Sequence, residues 1–140
     1  MKSPAKEALR WFLQAEDDCR FVQWCVDEKR FFDKGCFIAQ QAGEKALKAC
    51  LYGMGHRRVL GHSLLEMTGY LSDADSRFNE IVKEAKRLDR YYIAARYPNG
   101  LPGGSPFQVY DFDDLTNALN DLVKVVAMCR NFLEEKGIVT

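Results

Sequence analysis

The sequence predicts an all-α, up-and-down bundle of four to five helices, one domain over residues 1–140, with a Pro/Gly-rich loop before the last helix. Three observations predict it. Apolar residues recur at three- and four-residue steps in five segments, the spacing of one helix face. No stretch sustains the period-two alternation of a half-buried strand. A chain of 140 residues, 47% hydrophobic and 29% charged, is enough for one packed core and falls outside the disordered range.

Ser3 is placed to cap the first helix, with Pro4 at its first position and Glu7 in its first turn. Ala8, Trp11, Phe12, Ala15, Cys19, Val22 and Val26 form its apolar face, to about Asp27. Asp33 offers a cap for a second helix from Lys34 to Tyr52, carrying Phe37, Ile38, Ala42, Leu47, Cys50 and Leu51 and ended by Gly53 and Gly55. A loop with His56, Arg57 and Arg58 follows. Ser63 and Glu66 make a capping box for a short third helix, with Leu64, Leu65, Met67 and Leu71 as core contacts. Asp73 or Asp75 caps a fourth, buried through Phe78, Ile81, Val82, Ala85 and Leu88 and continuing to about Ala95 before Pro98. The stretch 97–107 holds three prolines and three glycines and reads as an irregular loop. The last helix spans about Asp111 to Lys136, with Leu115, Leu119, Leu122, Val125, Val126, Cys129 and Phe132 in period.

Lys plus Arg equals Asp plus Glu at 20 each, and this zero net charge argues against a large non-specific nucleic-acid surface. No window approaches the ~20 apolar residues of a membrane span, and the opening MKSPAKEALRW has no signal-peptide core. The five cysteines, Cys19, Cys25, Cys36, Cys50 and Cys129, contain no C-x-x-C pair and fit neither a disulfide framework nor a zinc site. Cys19, Cys36, Cys50 and Cys129 fall on apolar helical positions, which implies buried thiols in a reducing, cytoplasmic compartment. His56 and His62 lack nearby metal-ligand spacing, so no metal is expected, and no cofactor fingerprint or nucleophile elbow is present. His62 reads as shaping the start of the third helix.

Two segments carry candidate chemistry. In residues 40–51, Glu44 and Lys48 read as a surface i, i+4 pair, or else Gln41 and Lys45 face the fourth helix and frame a polar pocket. In residues 88–100, Arg90, Tyr91, Tyr92, Arg96 and Tyr97 crowd a helix C-terminus. Arginine there complements the helix dipole, but three tyrosines in one short segment need partners if buried. Arginine forks also bind phosphate and aromatic rings stack on bases. Lys45, Arg90, Tyr91, Arg96 and Tyr97 are therefore the candidate ligand-binding set.

These pieces in this order resemble the HEPN family (higher eukaryotes and prokaryotes nucleotide-binding domain). The matching elements are WFLQAEDD, FIAQQAGEKALKACLYGMG, His62-Ser63-Leu64, LDRYYIAARYP, and Tyr110 with Asp111 opening the last helix. The resemblance implies a helical bundle that forms a two-fold homodimer and binds a nucleotide or RNA. It also implies a minimal nucleotidyltransferase partner in a toxin–antitoxin-like pair. Many members are metal-independent RNases with an R-x(4–6)-H motif. Arg96 matches the motif's arginine, but no histidine follows His62. As an RNase the chain would rely on Arg96 for phosphate and on Tyr97 or Tyr110, with a lowered pKa, for the proton. A purely structural dimer or partner interface is the third reading.

Overall fold

The computed structural model describes residues 3–140, and these form helices and turns with no strand among them. Helix α1 runs Pro4–Glu28; the Ser3 hydroxyl accepts from the Lys6 amide, and Ala8, Phe12, Ala15, Val22 and Cys25 are buried. The turn to α2 is short and unusual, because Lys29 and Phe31 both adopt left-handed backbone at φ 52° and 53°. Neither residue is glycine, so the turn carries a steric cost of about 1–2 kcal/mol at each.

Helix α2, Phe32–Gly53, begins earlier than the sequence suggested. The Gly35 amide already donates to Phe31 O at 2.8 Å, which closes the first turn ahead of Asp33. Asp33 is thus a buried first-turn residue paired with Lys34, and not the cap. Fourteen of the 22 residues of α2 are buried, including Gln40, Glu44 and Lys48. A helix with a single apolar face does not look like this; α2 is the bundle's axis, packed on α1 and on all the later helices. At Gly35 a β-carbon would lie 2.4 Å from Leu115 Cδ1, so glycine is what lets α2 approach the last helix so closely.

Helix α3, Leu64–Ala74, is capped by Ser63, which accepts from the Glu66 amide. Leu65 is exposed, contrary to its expected core role. Two further first-turn amides, Leu64 and Leu65, donate at 2.8 and 3.0 Å to the carboxylate of Asp89, which also accepts from Ser63 Oγ at 3.1 Å. The expected single fourth helix is three pieces: a 3₁₀ turn at Ser76–Ile81 capped by Asp75, then α4 at Val82–Asp89, then α5 at Tyr91–Ala94. The break at Arg90 directly follows Asp89, whose side chain is committed to α3. The 97–107 loop folds on itself through a 3₁₀ turn at Pro98–Gly100, and it runs into a four-residue helix α6, Pro106–Val109, with a Ser105–Gln108 capping box. Helix α7, Phe112–Glu135, starts at a reciprocal Asp111–Asp114 box and buries Leu115, Ala118, Leu122, Val125, Cys129, Phe132 and Leu133.

All five cysteines are free thiols. Burial raises the thiol of Cys25, of Cys36 and of Cys50, and it pushes Cys19 up to about 12. They pack as small apolar groups.

Candidate functional site

The polar residues of α2 make an internal ladder. Gln40, Glu44 and Lys48 lie one turn apart, and Lys48 Nζ pairs with Glu44 Oε2 at 3.2 Å with both side chains under a tenth exposed. The surface pair expected from the i, i+4 spacing is therefore an interior one. Lys48 also sits over the Trp11 ring, 5.4 Å from its centre. The upper rungs hold the α2–α3 loop: Gln40 Nε2 donates to His62 O at 3.0 Å, and Glu44 Oε1 lies 3.1 Å from His62 Nδ1. A carboxylate only accepts, so this hydrogen bond puts a proton on Nδ1 and turns Nε2 away from Glu44. The His62 side chain remains 57% exposed.

His62 stacks on Tyr92 from α5, ring centres 4.9 Å apart and planes at 20°. Arg96 uses the same tyrosine: its guanidinium carbon is 4.7 Å from the Tyr92 ring centre, 4.3 Å from Phe37 and 5.0 Å from Tyr97. Arg96 Nε donates to Tyr92 O at 2.8 Å. Three rings and one carbonyl thus fix a cation that is only half-buried, with its terminal N–H groups still to spend. The histidine of the motif is absent downstream of Arg96 in the chain, but His62, carried by a loop 34 positions earlier, contacts the same Tyr92 ring as Arg96.

The five sequence-predicted residues do not share one cavity. Arg96 and Tyr97 meet at Tyr92. Lys45 faces α1 and not the fourth helix, its ammonium 2.6 Å from Asp18 Oδ2, and it lines a groove with Trp11 and Gln14. Gln41 turns to Gln40, donating at 2.7 Å. Asp18, the partner of Lys45, forms a wall of another cleft, of about 620 Å³, bounded also by Asp17, Asp33, Lys34, Phe21, Phe37 and Arg96. Arg90 and Tyr91 lie elsewhere, in a groove between α4 and α7 with Asn117 and Asn120. There Arg87 grips Asp121 with two hydrogen bonds of 2.9 and 2.8 Å. The carboxylates Asp33, Glu44, Glu84 and Asp121 are buried.

Tyr110 does not fit a proton-transfer role. It packs edge-on to Tyr91 at 5.9 Å, and burial raises the phenol of each above its ordinary value, the opposite of what a base needs. Among the described residues no cluster of His, Cys, Asp and Glu could hold a metal ion, and no helix is long and apolar enough to cross a membrane.

Known proteins resemble this chain over most of its length. The HEPN domain family model matches residues 8–132. Among solved structures, TT1696 from Thermus thermophilus superposes with a TM-score of 0.78 at 34% identity, covering 93% of this chain and 98% of that one. An archaeal HEPN homologue follows at 0.74 and 26% identity, covering 95% and 99%. An HEPN domain protein from Thermotoga maritima gives 0.70 and 29%, covering 89% and 98%. A candidate toxin of Methanocaldococcus jannaschii is 24% identical over 139 residues, 94% of this chain and 91% of that protein.

Proposed function

The chain belongs to the HEPN domain family, and from that premise we propose that it is a toxin-like module that binds RNA or a nucleotide at the Arg96 cluster. In this reading it acts in the cytoplasm as a homodimer, opposite a minimal nucleotidyltransferase. The observation that carries the proposal is the Arg96 guanidinium held over Phe37, Tyr92 and Tyr97. A preorganised fork beside rings is what a phosphate and its attached base require. Charge sets the side of approach. Asp17, Asp18 and Asp33 line the cleft on one flank of Arg96 and repel phosphate. Tyr92 and Tyr97, with His62 stacked on Tyr92, are not among the residues lining that cleft. Lys45, spent on Asp18, orients that wall and does not contact the ligand; Arg90 and Tyr91 form a separate polar groove suited to the partner. The resemblance to a candidate toxin supports the toxin-like role.

The test is a titration of labelled single-stranded RNA and of ATP into wild type and Arg96→Ala. Wild type should bind, and Arg96→Ala should lose at least about tenfold, the value of one charge-assisted bidentate contact. Equal binding by the two proteins, or none by either, overturns the proposal.

One observation favours a second, enzymatic reading: His62 carries a Glu44-oriented imidazole on the ring that Arg96 covers. In it, His62 Nε2 takes the proton of a ribose 2′-hydroxyl while Arg96 steadies the phosphate. The 2′-oxygen then bonds to phosphorus, the bond to the 5′-oxygen breaks, and the departing oxygen recovers the proton from His62. Cleavage of RNA to 2′,3′-cyclic ends, lost in His62→Ala with binding kept, is the expected result. Binding without cleavage by wild type rejects this reading alone.

A further inference from the structure

The outer face of α1 borders the Arg96 cleft through Asp17 and Phe21, and it is the most apolar surface on the helix. Leu13, Phe21 and Trp24 stand 54, 40 and 43% exposed. Phe31 in the next turn extends the row, with Phe21 stacked on Trp24 at 6.3 Å and Trp24 on Phe31 at 6.5 Å. Rings left in water in a continuous row mark a surface that something covers.

The charge order on this face says what. Arg10, Leu13, Asp17, Arg20, Trp24 and Glu28 follow one another at steps of three and four, a single stripe turned away from buried Ala8, Phe12, Ala15 and Val22. Read from the N-terminus the stripe runs positive, apolar, negative, positive, apolar, negative. Reversed, it is its own complement. A copy laid antiparallel, with the two-fold between Asp18 and Cys19, sets Leu13 against the partner's Trp24 and Asp17 against the partner's Arg20, and brings Arg10 within one residue of register with the partner's Glu28, inside the reach of the two long side chains. A parallel copy would set every charge against its like. Among the described residues the pairs recorded for these charges are local, Arg10 with half-buried Glu7 at 3.1 Å and Arg20 with exposed Asp17 at 3.3 Å, and the second is weak.

We infer that this stripe is a two-fold interface, the α1 helices of two copies packed antiparallel through Leu13 and Trp24 and keyed by Arg10, Asp17, Arg20 and Glu28. The inference rests on the homodimer of the proposed function and supplies its surface; it does not depend on RNA binding. Asp17 and Phe21 also line the Arg96 cleft, so the pairing sets the clefts of the two copies side by side along the joined helices.

Sedimentation equilibrium on the full chain tests it. Wild type should be a dimer, and Trp24→Glu should raise the dissociation constant about 100-fold or more, as for a central aromatic anchor. Circular dichroism should be unchanged, since Trp24 lies outside the core. Arg10→Glu and Glu28→Arg should each weaken the dimer by about five- to tenfold, since symmetry counts each rim pair twice. The double variant Arg10→Glu/Glu28→Arg should recover most of the loss. These residues lie 18 positions apart on one rigid helix, so recovery can arise only between chains. A wild type that stays monomeric overturns both the homodimer and this surface. A dimer indifferent to Trp24→Glu overturns the surface and leaves the homodimer standing. Charge reversal without recovery overturns the antiparallel register.

Discussion

Helix α2 and the segment after α4 break the same rule in opposite senses. Along α2, Gln40, Glu44 and Lys48 are inside; between Tyr91 and Val109, Ile93, Tyr97, Phe107 and Val109 are outside. Each departure alone would lower stability, by desolvating charge in one case and by wetting apolar surface in the other. They meet at one place, where His62, held by α2, lies on Tyr92 of α5. The interior polar ladder is therefore a mount. It fixes a loop on which an imidazole ring is presented to the tyrosine that also carries the half-buried Arg96 cation, and consistent patterning gives way where positioning is required.

The mount is broken most severely by Glu44→Ala. It leaves Lys48 buried without its carboxylate and His62 without its orienting partner, and we expect a loss of about 3–5 kcal/mol in urea denaturation. Glu44→Gln, which keeps an acceptor for His62, should cost clearly less. If Glu44→Ala is as stable as wild type, the ladder is not structural and α2 differs from the later segment only in composition. Asp89→Ala comes next, at about 1–2 kcal/mol, because it strips the second cap from α3. Its diagnostic is local: the amides of Leu64 and Leu65 should exchange faster with solvent while those of α1 keep their protection.

The smallest effect lies outside both regions. Arg77 bridges Asp75 and Glu135, and its hydrogen bonds hold both carboxyls below their ordinary values. A depressed folded pKa gives stability that is complete above the unfolded value, about 4, and is lost as pH falls through the folded one. Melting temperature should therefore decline slightly on acidification below about pH 4, and Arg77→Ala should flatten that part of the profile.

Much of this was legible in the sequence, and the failures have physical causes. Periodicity finds α1, α3 and α7 because each has one buried face, and the caps Ser3, Ser63 and Asp111 sit where their local spacing demands. Periodicity misreads α2 because a helix with neighbours on most sides buries polar positions too, and nothing in an i, i+4 spacing tells an interior Glu44–Lys48 pair from a solvated one. The break at Arg90 was hidden because its neighbour Asp89 answers to amides 24 and 25 positions away. The Arg/Tyr cluster was visible in composition. Its division between the Arg96 site and the Arg90 groove was not, since residues six apart at a broken helix end need not share a side. His62 was discounted because a local motif is read along the chain, and here the ring arrives from the opposite direction in space.

The Asp89 cap also bears on the order of assembly. A helix start is usually settled by residues within its own first turn, so it can form early and alone. Here α3 cannot finish its first turn until the far end of α4 has returned across the intervening chain. The formation of the two helices and of the 3₁₀ turn between them is therefore coupled. An α-hairpin closed at its open end in this way behaves as a single cooperative unit, and hydrogen exchange should find α3 and α4 opening together and apart from α1.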